Sequence, residues 1–197
     1  MSRTTTVIKP NDHGRPMTLD EFDLAKGVEG HLYELGRGVI VVTDVPSTPH
    51  MRQVEELRDQ LVGYKLSHRG IIYSIAHGSD AKILVAEDQS ERHPDLLIYK
   101  TPPPDTDVWS TWIPEIVIEV VSPSSAHRDY EEKPQEYLAF GVSEYWILDA
   151  AKQQMTVLRR SRGQWAPKIV KHGETYSTRL LPEFTLDLAA VLDAAKR

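Results

Sequence analysis

The chain contains no cysteine. That absence removes disulfides, thiolate-bound zinc and cysteine nucleophiles from consideration, and it suits a reducing compartment. No apolar run approaches the length needed to cross a bilayer, and the opening MSRTTTVIKPNDHGRP lacks the apolar stretch of a signal peptide. A soluble, cytoplasmic protein with no membrane partner is therefore expected. Internal repeats and low-complexity tracts are missing as well. So is a surplus of basic charge, since 23 Lys and Arg stand against 29 Asp and Glu, a formal net charge of −6. This balance argues against a cationic surface that grips phosphate backbones indiscriminately. It leaves nucleic acid open, because a carboxylate site for cations carries negative charge of its own. No helix-turn-helix or zinc-finger pattern is present to read a base sequence, so neither a target nor a choice between DNA and RNA follows from the residues.

What is present can fold. Of the 197 residues, 40% are hydrophobic and 26% charged, enough apolar surface for a core in one domain of ordinary size. Residues 1–16 read as a flexible lead-in and residues 17–197 as a single domain. Thr18 followed by Glu21 is a capping-box signature, predicting a short helix from Leu19 to about Lys26. HLYEL and VIVV, separated by Gly-Arg-Gly, read as a hairpin. Ser47, Thr48 and Pro49 open a second helix, whose apolar Met51, Val54, Leu57, Leu61 and Val62 recur at helical spacing. IIYSIA, KILVAE and DLLIYK are short strands, and EIVIEVV is a nearly continuous apolar run suited to a central strand covered on both faces. A helix over about 128–140, the strand EYWILD, the outer strands QMTVLRR and WAPKIVK, and a terminal helix complete the pattern. Strand, helix and strand between Glu115 and Asp149 make a parallel crossover. The class is α/β, a mixed sheet flanked by helices with β-hairpin additions.

The informative residues are acids placed where a core should be apolar. Glu119 interrupts Ile116-Val117-Ile118 and Val120-Val121, and an ionised carboxylate there is costly unless something satisfies it. Asp95 starts the run Leu96-Leu97-Ile98 directly after Pro94. Glu34 lies between Tyr33 and Leu35. If their strands are neighbours, these oxygens converge as hard ligands suited to Mg²⁺, which keeps several waters. The other reading is structural: each acid pairs with an arginine or meets water at a strand end. Lys133 falls on the buried stripe of its helix with Tyr130 and Tyr137. It either snorkels to solvent or aims its ammonium at the preceding strand's acid. Pro134 follows directly, so the helix is expected to begin properly only near that residue, with Lys133 in its opening turn.

Taken in order, Tyr33-Glu34-Leu35, Ser47 to His50, Pro94-Asp95-Leu96, the segment Glu119 to Ser124, Asp129 to Lys133, and Gly141-Val142 with Glu144-Tyr145-Trp146 resemble the Uma-type restriction endonuclease family of the PD-(D/E)XK nuclease-like superfamily. The resemblance runs from about Met17 to Leu192 and implies a restriction-endonuclease-like fold. It implies metal-binding Asp95 and Glu119, with the backbone carbonyl of Val120 as a further ligand. The superfamily's lysine, two residues after the second acid, is replaced here by Val121, and Lys133 stands in from the helix. Glu34 matches an upstream assisting acid. His50 and Ser122 match recurrent positions of unassigned role. The implied activity is Mg²⁺-dependent hydrolysis of phosphodiester bonds, with Mn²⁺ as a substitute and DNA favoured over RNA. The catalytic set is Glu34, Asp95, Glu119 and Lys133. The alternatives are an inactive nuclease-fold module that binds nucleic acid or a protein partner, and a structural protein with ion-paired acids. A homodimer would suit cleavage of two strands, with outer strands and Trp112, Trp146 and Trp165 as its candidate surface.

Overall fold

The structure, a computed structural model, describes residues 6–197. The part of the expected lead-in over residues 1–5 lies outside the described residues. Beyond it the chain is not a bare lead-in. Strand β1 (Val7–Ile8) is followed by a 3-10 turn at Pro10–Asp12, and the Ile8 side chain is buried. Helix α1 (Leu19–Asp23) opens with the predicted capping box, Thr18 Oγ1 accepting from the Glu21 N–H and Glu21 accepting from the Thr18 N–H. It stops short of Lys26 because Lys26–Gly27 forms β2, paired in parallel with β1.

Contacts gather the chain into two compact units: residues up to Pro46 with Lys82–His93, and Ser47–Ala81 with Pro94–Arg197. In the first unit, β3 (His31–Gly36) and β4 (Val39–Asp44) form the expected hairpin. Its two turn residues, Arg37 and Gly38, have φ of 51° and 73°, the positive values that match the twist of a tight hairpin. Strands β6 (Ile83–Val85) and β7 (Ser90–Arg92) extend it into a four-stranded antiparallel sheet of order β4-β3-β7-β6. Ile8, Phe22, Leu35 and Ile40 make this unit's core.

The second unit starts with α2 (Thr48–Ser67), capped by Ser47 with Pro49 in its first turn. Its sheet has the order β12-β11-β10-β9-β8-β5. The strands are β5 (Ser74–Ala76), β8 (Leu96–Tyr99), β9 (Ile116–Val120), β10 (Glu144–Asp149), β11 (Gln154–Ser161) and β12 (Gln164–Lys171). Only β9 and β10 pair in parallel, and the chain between them carries helix α4 (Lys133–Phe140), so the predicted crossover is present. A short helix α3 (Val108–Thr111) lies between β8 and β9. A separate hairpin, β13 (Thr175–Thr178) with β14 (Leu181–Asp187), precedes helix α5 (Leu188–Ala194).

Alternation along the strands decides what each sheet face does. Leu96 and Ile98 of β8, Ile116, Ile118 and Val120 of β9, and Trp146 and Leu148 of β10 join Leu57, Leu61 and Tyr64 of α2 and Leu188, Val191 and Leu192 of α5 in one core. Residues of the opposite parity, Leu97, Val117 and Glu119, therefore face the other way. This is a mixed α/β sheet flanked by helices. Among the described residues no helix is long and apolar enough to cross a membrane.

Candidate active site

Parity and register together assemble the site. Asp95 shares its parity with Leu97, and Glu119 with Val117, so both point away from the α2–α5 core. The antiparallel pairing of β8 with β9 sets Leu96 against Ile118. One step further along, Asp95 comes beside Glu119. The contact is direct at the backbone, because the Val120 N–H donates to Asp95 Oδ2 at 2.7 Å.

Glu119 is 5% exposed, and its burial is compensated. Its Oε1 accepts from Lys133 Nζ at 2.8 Å and from the Tyr137 hydroxyl at 2.9 Å. Lys133 does not snorkel out. It is 4% exposed and makes a second ion pair, 2.8 Å from Asp129 Oδ1. A buried pair of this kind is a weak source of stability, since desolvation offsets most of the Coulomb attraction, but losing one partner is severe.

The approach to Lys133 departs from a regular helix. Residues Arg128–Glu132 form a π-helical turn, and the Lys133 N–H donates to the Arg128 carbonyl five residues back. Pro134 has no N–H to continue an α-helical ladder into that turn, while its fixed φ suits the start of α4. The proline thus sets Lys133 at the first position of α4, as its sequence position suggested. Such π-turns recur at functional sites.

His50 closes the other side. Its Nε2 lies 3.0 Å from the Val120 carbonyl oxygen and 3.2 Å from Asp95 Oδ2. Burial works against a charged imidazole there. The hydrogen bond and charge of Asp95, helped by the Val120 carbonyl and the Asp129 charge, outweigh burial and hold the His50 pKa above its ordinary value. Ser122 is not drawn in. Its hydroxyl bonds to Ser124 and Ser125 within its own turn. Glu34 belongs to the first unit, where it ion-pairs with the fully buried Arg92 at 3.2 Å and accepts from the His93 N–H at 3.0 Å.

The donor set fits a hard divalent cation. Asp95 Oδ2 and the Val120 carbonyl both converge on His50 Nε2, the arrangement two ligands make toward a common positive centre. Asp95 Oδ1 takes no hydrogen bond among the described residues, and the side chain is 19% exposed, so that oxygen remains for an ion. Among the described residues no cluster of at least three His, Asp or Glu side chains forms a cation cage on its own. Two carboxylates, one carbonyl and water are what Mg²⁺ ordinarily accepts.

Sequence reasoning noted Asp129 and Tyr145 within matching segments but gave them no role, and it missed Tyr137 as a hydrogen-bond donor; the Tyr145 hydroxyl donates to the Asp129 carbonyl at 2.9 Å. The signal available was the spacing of Asp129 and Lys133, four residues apart on a helix directly after the acid-bearing strand.

Comparisons with known proteins bear on the family and the fold. The Uma2 family model, described as "Putative restriction endonuclease", matches residues 19–189. A crystal structure described as a "putative nuclease belonging to DUF820", from Anabaena variabilis ATCC 29413, is similar at a TM-score of 0.73 and 18% identity, over 90% of this chain and 99% of that one. At that identity the likeness speaks for the fold alone. No curated protein matches the chain.

Proposed function

The chain belongs to the Uma2 restriction endonuclease family, and from that premise we propose that it is a metal-dependent nuclease hydrolysing phosphodiester bonds, in DNA before RNA. Mg²⁺ is the cation of the proposal and Mn²⁺ its substitute. Asp95, Glu119 and the Val120 carbonyl are its holders and Lys133 the cationic catalytic group. One observation carries the reading: a buried lysine ammonium is bonded to an acid on the same sheet face as a second, accessible acid.

A divalent cation, when bound there, supplies charge neutralisation at the phosphate and lowers the pKa of its water. The chain's own groups do the rest. The Val120 N–H and His50 keep Asp95 oriented. Tyr137 and Lys133 hold Glu119 in place before a cation binds. The Lys133 ammonium, fixed in a dry setting, offsets charge developing on the transferred phosphate with little reorganisation.

Plasmid nicking with Mg²⁺ or Mn²⁺ tests this. Wild type is expected to nick, and Asp95→Ala, Glu119→Gln and Lys133→Ala each to lose rate by on the order of 10²-fold or more while remaining folded by circular dichroism. Wild type that cleaves neither DNA nor RNA, and gives no heat of cation binding, would sink the proposal.

A second reading has its own observation. His50 already bridges Asp95 and the Val120 carbonyl, and Glu119 Oε1 already holds two donors, a closed network suited to a binding module without catalysis. That reading predicts nucleic-acid or protein binding indifferent to chelator. A homodimer presenting two centres to two strands is part of the nuclease proposal, and sedimentation velocity checks it.

A further inference from the structure

Asp129 is fully buried at 0% exposure, and neither carboxylate oxygen receives a hydrogen bond among the described residues. Among the described residues its ion-pair partner is the Lys133 ammonium, 2.8 Å from Oδ1. A desolvated carboxylate in that state is expensive. Charge compensation of Lys133 does not require it, because Glu119 already stands 2.8 Å from the same nitrogen. The surroundings nevertheless fix Asp129 firmly. The Tyr145 hydroxyl donates to its carbonyl, its own N–H donates to the Ser125 carbonyl at 2.9 Å, and the π-turn separates it from Lys133. Tyr145 in turn packs edge-on against Tyr137, the other donor to Glu119.

We propose that Asp129 is a positioning residue: it holds the Lys133 ammonium in place when Glu119 turns its oxygens to a cation. The inference rests on the nuclease reading for its purpose, though not for its geometry. Among the described residues, acids from two elements lie against Lys133, one on the strand that carries the site and one in the turn that leads into its helix. When the strand partner is drawn away, the helical partner keeps the ammonium aimed. Without Asp129, Lys133 follows Glu119 or turns aside. A misplacement of about 1 Å in a catalytic group can lower rate by on the order of 10²-fold.

The test uses two readouts on the full chain. The first is the ¹⁵N-detected NMR signal of the Lys133 ammonium in Mg²⁺-saturated protein, assigned by its loss in Lys133→Arg. It is sharp in wild type and expected to broaden away in Asp129→Asn, and to persist in Asp129→Glu, which keeps the charge should the amide variant fail to fold. The second is a double-mutant cycle of Asp129→Asn with Lys133→Gln, read as kcat and KM for nicking. Asp129→Asn is expected to lower kcat by about 10-fold to 100-fold with KM little changed, and to add nothing in the Lys133→Gln background. An unchanged Lys133 signal overturns the proposal, as does a kcat loss of equal size in both backgrounds. Wild type that cuts nothing, with a Lys133 signal that still depends on Asp129, supports the positioning and defeats the nuclease reading alone.

Discussion

Gly36 shows how one missing atom can matter. A Cβ at that position would lie 2.6 Å from Arg92 Nη2 and 3.0 Å from its Cζ. Arg92 has 0% exposure and is paired with Glu34, so its guanidinium has little room to retreat. Gly36→Ala is therefore expected to destabilise the protein by about 1–3 kcal/mol, the usual cost of overpacking, in denaturant unfolding. Lys133 is exposed to the opposite error. Lys133→Met leaves Glu119 and Asp129 buried without their shared ammonium, and on the order of 3–5 kcal/mol of stability should be lost at neutral pH. An unchanged unfolding midpoint would contradict this role for the ammonium. Glu91 gives a pH prediction. Burial raises its pKa, but the His93 hydrogen bond and the Lys82 ammonium 2.8 Å away outweigh burial and hold it below the ordinary 4.5. A depressed folded-state pKa contributes stability that is present above the ordinary value and lost as pH falls through the folded one. Glu91→Gln should therefore flatten the acid side of the stability profile below pH 4.5, measured by urea unfolding across that range.

At the scale of elements, β10 and the β13–β14 hairpin are joined through one buried acid. Glu144 accepts hydrogen bonds from Trp146 Nε1 at 2.9 Å, the Tyr176 hydroxyl at 3.1 Å and the Thr178 hydroxyl at 2.7 Å. Burial pushes the Tyr176 hydroxyl pKa up, reinforced by the Glu144 charge, so it remains a donor at any ordinary pH. Glu144→Ala orphans three buried donors and should cost more than about 3 kcal/mol, with β13–β14 amides losing hydrogen-exchange protection first. These elements also mark what the sequence made legible. Helix starts were readable because Thr18, Glu21, Ser47 and Pro49 act locally. Strands β8, β9 and β10 were readable because buried strands are apolar throughout, and Glu119 stood out against them. Strand β7 was not, since Ser90, Glu91 and Arg92 are polar residues buried by pairing with other polar residues. Asp129 stood out little, because it is one charged residue among Arg128, Glu131 and Glu132, and a π-turn has no hydrophobic period to single it out. Its importance comes from Lys133, not from its neighbours in sequence.

Over the whole molecule, the division into units could not be read in sequence order, because Lys82–His93 returns to the first unit after α2 and β5 have built part of the second. The candidate site escapes that difficulty. Its members His50, Asp95, Glu119, Asp129 and Lys133 all fall in the second unit, assembled by one sheet and two helices. Cation binding should therefore be linked to the stability of this unit. At a free Mn²⁺ concentration of 100 times its Kd, stabilisation of about 2.7 kcal/mol is expected for wild type and none for Asp95→Ala, followed by thermal unfolding. Lack of any Mn²⁺-dependent shift in wild type would count against the site. The most direct measurement is anomalous diffraction at the manganese edge from Mn²⁺-soaked crystals. The predicted result is a peak between Asp95 and Glu119, with His50 Nε2 displaced from the Val120 carbonyl and Lys133 still against Asp129. Crystals soaked to saturation with no peak beside Asp95, and with His50 still bridging Asp95 and Val120, would contradict a cation-dependent centre here.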